Sequence, residues 1–264
     1  MRGKEGYMDC RELSDFFMQA LRLETDPVAV RLYESASDLP KKPLPFKLNI
    51  CQLISMARHQ GRTASGVPER MVCSIGAACT GLIGTPEAFR NGTAAVGRYV
   101  ENAEAGKRFF ENTFKIGDSG RAFDAILLSP LRDAGGIVPD AVIFYANPAQ
   151  VMRLIHACVY RTGEKVEAAT VAEAAVCSAI GFVKSTGRPI VGFPCAGDRR
   201  FGGTQNTELL FAAPYGMLED MAYALSDLGA VAPVYPVAPN VMWTPQMPAA
   251  YTIGDGDIEN GGGR

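Results

Sequence analysis

The chain has 264 residues, 47 % of them apolar and 20 % charged, with a formal net charge of -2. That length supports a sizeable core, and the charge balance offers no concentrated basic face for nucleic acid. No apolar run reaches the roughly 18 residues of a membrane span, and the N-terminus is polar without a signal-peptide core, so a cytoplasmic protein with mostly reduced cysteines is expected.

In chain order, the pattern predicts a first helix over 9–23, with Leu13, Phe16, Phe17, Ala20 and Leu21 on one face. Asp26-Pro27 breaks it, and Val28 to Leu32 reads as a strand. Residues 36–47 form a proline-rich crossing. Asn49 with Gln52 resembles a helix start, and Asn147 with Gln150 repeats it, with Pro148 at the first helical position. Further helices are expected over 98–114, where Glu104 and Arg108 pair, over 172–185 and over 216–228. Short apolar strands are expected at 125–128, 141–144, 189–193 and 209–212. Alternating strands and helices with irregular crossings predict an α/β or α+β domain over 1–230, a two-layer mixed sheet with helices. An extended proline-rich tail over 231–264, holding Trp243, would cross the body or a partner subunit of a homo-oligomer.

Two stretches resemble one another, over 26–131 and 139–215. Each runs through a strand, an Asn-capped helix and a Cys-Ser segment, at Cys73-Ser-Ile-Gly76 and Cys177-Ser-Ala-Ile-Gly181. The pattern fits an internal pseudo-two-fold duplication, and it fits equally the ordinary likeness of short elements. In either case Cys177 reads as packing.

Cys51 would be the second residue of the helix capped by Asn49, where the helix dipole and free N–H groups favour thiolate. The matching position in the second stretch is Ala149, so the architecture does not demand a cysteine there. Cys73 stands before a run of small residues, and Cys79 reads as the interior face of the same helix. Their Cys-x5-Cys spacing is no standard zinc or ferredoxin spacing. Cys195 opens the most site-like segment, a Gly/Arg loop over 194–204 that follows a strand. There Gly197, Asp198, Arg199 and Arg200 suit an anionic group, though a tight turn with solvated arginines explains them too. Cys10 and Cys158 read as packing. His59 and His156 are the only histidines, which leaves little for a histidine-rich zinc site or a Ser-His-Asp triad. Arg121, in the turn between Asp118 and Asp124, either faces a ligand or belongs to an ordinary loop.

Three of these segments together, Cys51-Gln-x4-Ala57-Arg58-x2-Gly61, Cys73-x2-Gly76 and Pro194-Cys195-x-Gly197-Asp198-Arg199, resemble the domain-of-unknown-function 169 family, also called uncharacterised ArCR. The resemblance spans about Phe16 to Leu228 and implies that Cys51, Cys73 and Cys195 belong to one pattern. It implies no reaction. Three functions are open. In the first, Cys51, Cys73 and Cys195 bind a thiophilic metal or an iron–sulfur cluster, with Cys79, Cys177 or a non-cysteine group as a fourth ligand. In the second, the 194–204 loop binds a small anionic ligand. In the third, Cys195 is the catalytic nucleophile of a thiol-dependent enzyme. No nucleic-acid or membrane partner is expected.

Overall fold

A computed structural model describes residues 8–168, 170–228 and 251. The expected tail over 231–264, apart from residue 251, lies outside the described residues.

The chain opens with α1 (Cys10–Leu21) and β1 (Val28–Tyr33), followed by α2 (Ile50–Gln60) and β2 (Ala64–Gly66). Three helices come next, α3 (Ser74–Cys79), α4 (Glu87–Arg90) and α5 (Ala103–Glu111). Strands β3 (Ala125–Pro130) and β4 (Ala141–Ala146) lead to α6 (Pro148–Val159) and β5 (Glu167–Ala168). The described fold ends with α7 (Ala175–Thr186), β6 (Ile190–Gly192), α8 (Ala196–Gly202), β7 (Leu209–Ala213) and α9 (Leu218–Asp227).

The helix starts follow local chemistry. Asp9, Asn49 and Asn147 each accept from the backbone three residues on, and Glu12, Gln52 and Gln150 reach back to the cap N–H. In α2 both capping bonds are 2.9 Å. The helix expected over 98–114 is shorter, because Asn102 caps it by accepting from Ala105 N–H. Its Glu104–Arg108 pair forms as expected, at 2.7 Å.

Seven strands form one open mixed sheet in the order β2-β3-β1-β4-β7-β6-β5. All neighbours pair antiparallel except β5 with β6. β3 and β4 are buried along their whole length, which is why they read as unbroken apolar runs. Alternate residues of β1 and β4 enter two cores. Val28, Val30, Leu32 and Ile143 meet α2, α3 and α7 on one face, while Ala29, Val142 and Phe144 meet α1, α6 and α9 on the other. Phe144 packs edge-on against both Phe17 and Phe211. The mixed sheet with helices agrees with the expectation from sequence, but helices cover both faces, so the described fold has three layers rather than two.

The central β3-β1-β4-β7 order is symmetric about the β1–β4 pair, as a duplication would give. The helices follow only in part: α3 and α7 share one face, as that symmetry requires. A two-fold axis relating antiparallel neighbours runs through the sheet and keeps each helix on its own face. Yet α2, after β1, and α6, after β4, lie on opposite faces.

One buried ion pair ties α2 to the segment before β7. Arg58 and Glu208 meet at 2.5 Å, with side-chain exposures of 1 % and 8 %. The Arg58 guanidinium also stacks 4.0 Å from the Tyr145 ring centre and donates to Thr25 Oγ1. Removing one partner of a buried pair leaves the other charge unmatched. Glu208→Ala is expected to cost about 3–5 kcal/mol in urea unfolding. A loss below about 1 kcal/mol, the range of an exposed pair, would contradict this role.

Candidate functional site

Four helices begin at one cavity of about 500 Å³, and each brings a cysteine to its wall. Cys51 is the second residue of α2 and Cys177 the third of α7. Cys73 caps α3, and Cys195 caps α8. All four line the same cavity. The three thiols grouped on sequence therefore do come together, and Cys177, read as packing, joins them.

Glycines let the sulfurs approach. A methyl carbon on Gly76 would sit 3.0 Å from Cys177 Sγ and 3.5 Å from Cys73 Sγ. One on Gly197 would sit 3.5 Å from Cys51 Sγ and 3.6 Å from Cys195 Sγ. Cys51 and Cys177 are within hydrogen-bonding reach of one another. The two look-alike segments pack directly together, since a methyl on Gly181 of α7 would lie 2.4 Å from the Cys79 carbonyl oxygen at the end of α3. Their likeness serves a helix–helix contact within the site layer.

Backbone N–H groups point at the sulfurs. Those of Ile75 and Gly76 face Cys73, and those of Ala175 and Asp198 face Cys195. Cys73, Cys177 and Cys195 are nonetheless held neutral. Burial raises Cys73, and burial with the nearby Asp198 pushes Cys195 up to about 12. The Cys51 hydrogen bond and burial raise Cys177 well above the ordinary thiol value. All seven cysteines are free of disulfides.

Behind the thiols lies Asp198, fully buried. It accepts from Cys195 N–H at 3.3 Å, from Tyr145 Oη at 3.3 Å and from Cys51 Sγ at 3.7 Å. Burial raises its pKa, and the bonds from Cys195 and Tyr145 oppose that shift. Asp198 thus couples Cys51 to Cys195 and faces away from any ligand, unlike the anion-binding role expected of it.

The segment 194–204 is a helix with a short lead-in rather than a loop, because Asp198 caps Cys195 and Gly203, at φ 70, ends the turn. This splits the expected anion group. Gly197 and Arg200 line the cavity. Arg199 points elsewhere, donating to Gln205 O at 3.0 Å and Asn206 Oδ1 at 3.1 Å. Three residues missed on sequence line the cavity beside Arg200: Arg98, Tyr99 and Glu173. No local pattern marks them, since they come from a turn and from a strained segment.

The remaining candidates lie elsewhere. Arg121 pairs with Asp124 at 2.7 Å and Glu69 at 3.7 Å, so that turn is an ordinary loop. Cys79 is fully buried behind the cavity wall. Cys10 bonds Tyr215 Oη in the opposite layer, and Cys158 lies beside that same core. Among the described residues, no three His, Cys, Asp or Glu side chains form a group able to hold one metal ion, and no helix is long and apolar enough to cross a membrane.

No solved structure matches the chain. An uncharacterised protein of Methanocaldococcus jannaschii is 26 % identical over 223 residues, covering 82 % of this chain and 94 % of the relative. The profile of the domain-of-unknown-function 169 family, described as uncharacterised ArCR, matches residues 17–224, which include all four cavity cysteines. The chain belongs to this family.

Proposed function

We propose that the chain binds an iron–sulfur cluster through Cys51, Cys73, Cys177 and Cys195. The observation that carries the reading is the convergence of four cysteines, each at a helix start, on one cavity. Four thiolates are the usual ligand set of a cubic cluster, and hydrogen bonds to the sulfurs tune it. The backbone N–H groups facing Cys73 and Cys195 fit that arrangement. A cluster spreads its ligands over a core of several atoms. It is therefore favoured over a single zinc ion, for which the described residues form no ready group.

Electrostatics favours the cluster over a lone nucleophile. An activated thiol needs a lowered pKa, and Cys195 is shifted the other way. A bound metal deprotonates a coordinating thiol outright and supplies the positive charge that buried thiolates lack. The protein would serve in a reducing compartment such as the cytoplasm, where free cysteines persist.

Protein prepared without air, or reconstituted with ferrous iron and sulfide, is expected to show broad visible absorption and matched amounts of iron and sulfide. Cys177→Ser should lose most of both, while Cys158→Ser, outside the cavity, should keep them. Absence of iron and sulfide from protein never exposed to oxygen would contradict the reading, as would unchanged loading in Cys177→Ser.

The raised thiols also set a pH dependence. Cys73, Cys177 and Cys195 are held protonated at neutral pH, and a metal must displace those protons. Cluster retention should therefore fall as pH drops from about 8 to about 6. Iron release measured with a chelator over that interval checks this; release that is flat, or that increases with pH, would contradict it.

A further inference from the structure

The outer part of the same cavity carries a different chemistry from its thiols. Arg98 and Arg200 both line it and both are exposed. Among the described residues neither forms an ion pair, whereas Arg132, Arg161 and Arg188 on other surfaces all do. Arg200 lies 5.5 Å over the ring of Phe201. Val72, Tyr99 and Phe201 also line the cavity and are 57 %, 50 % and 43 % exposed. Two free guanidiniums beside open apolar surface match an anionic group joined to an apolar body.

Glu173 narrows the class of anion. It lies between Ala172 and Ala174, both left-handed at φ 60 and 52, a costly backbone for alanine. One of its carboxylate oxygens, Oε2, is enclosed and has no hydrogen-bond partner among the described residues. Burial, followed by this carboxylate's charge and its hydrogen bond with the phenol, raises Tyr99 above its ordinary value, which leaves Oε2 as the oxygen without a partner. An acidic side chain at the site disfavours a doubly charged anion. The unused oxygen accepts a hydrogen bond from a ligand hydroxyl or amine.

We infer that the cavity mouth binds an organic monocarboxylate with an apolar body and a neighbouring hydroxyl or amino donor. Arg98 and Arg200 hold the carboxylate, Val72, Tyr99 and Phe201 receive the body, and Glu173 takes the donor. The inference rests on the cluster reading for what the ligand meets deeper in the cavity, while its binding is measurable without iron.

The test is calorimetry on the full chain, reduced and iron-free, with phenyllactate and phenylphosphate as probes. Phenyllactate is expected to bind, with phenylphosphate weaker by about tenfold or more. In the double variant Arg98→Gln/Arg200→Gln, whose side chains are exposed, phenyllactate affinity should drop at least about tenfold with the thermal midpoint unchanged. No binding of phenyllactate, equal binding in the double variant, or tighter binding of phenylphosphate would each overturn the inference. Iron and sulfide, assayed separately after reconstitution of both proteins, keep the two proposals apart. Phenyllactate binding without iron uptake would overturn the cluster alone, and iron uptake without phenyllactate binding would overturn the monocarboxylate alone.

Discussion

Burying three thiols and half-burying a fourth around one cavity imposes an electrostatic constraint. Neutral thiols tolerate such company, but neighbouring thiolates in a poorly solvated space repel one another unless a cation lies among them. The raised values of Cys73, Cys177 and Cys195 lie on the neutral side of that choice. The glycines at Gly76 and Gly197, each beside two sulfurs, keep the space between the thiols open. A core built for packing alone would fill it.

The scaffold explains how residues far apart in sequence meet. One face of the sheet carries α2, α3 and α7, and α8 follows β6 into the same layer. The starts of these helices meet at the cavity. Asp198 then braces two of the cysteine-bearing helices from behind, through Cys195 N–H and Cys51 Sγ, and Tyr145 anchors it to β4. The Arg58–Glu208 pair holds the far end of α2. The opposite layer of α1, α6 and α9 covers the other face and brings no residue to the cavity.

Much of the fold was legible where local chemistry decides it. The capping boxes at Asn49 and Asn147 have unmistakable side-chain signatures, and β3 and β4 are apolar because both their faces are covered. The short strands β2 and β5 escaped because two or three residues carry no period. In the site, Cys51, Cys73 and Cys195 were legible as a set. Cys177 stood only among several candidates for a fourth ligand, since its surroundings of Ala, Val and Ile read as core, and it is indeed 4 % exposed. Its segment and the similar Cys73 segment pack on one another. Arg58 gave no sign of burial on sequence, because its partner Glu208 lies 150 residues away. Arg98, Tyr99 and Glu173 reach the cavity only through tertiary structure.

The central claim is that these four cysteines act together as ligands. Iron-edge X-ray absorption on protein prepared without oxygen tests it most directly. The account predicts iron surrounded by sulfur alone, with iron–iron scattering from a cluster core. Iron bound mainly through oxygen or nitrogen, or no iron retained by the folded chain, would contradict it.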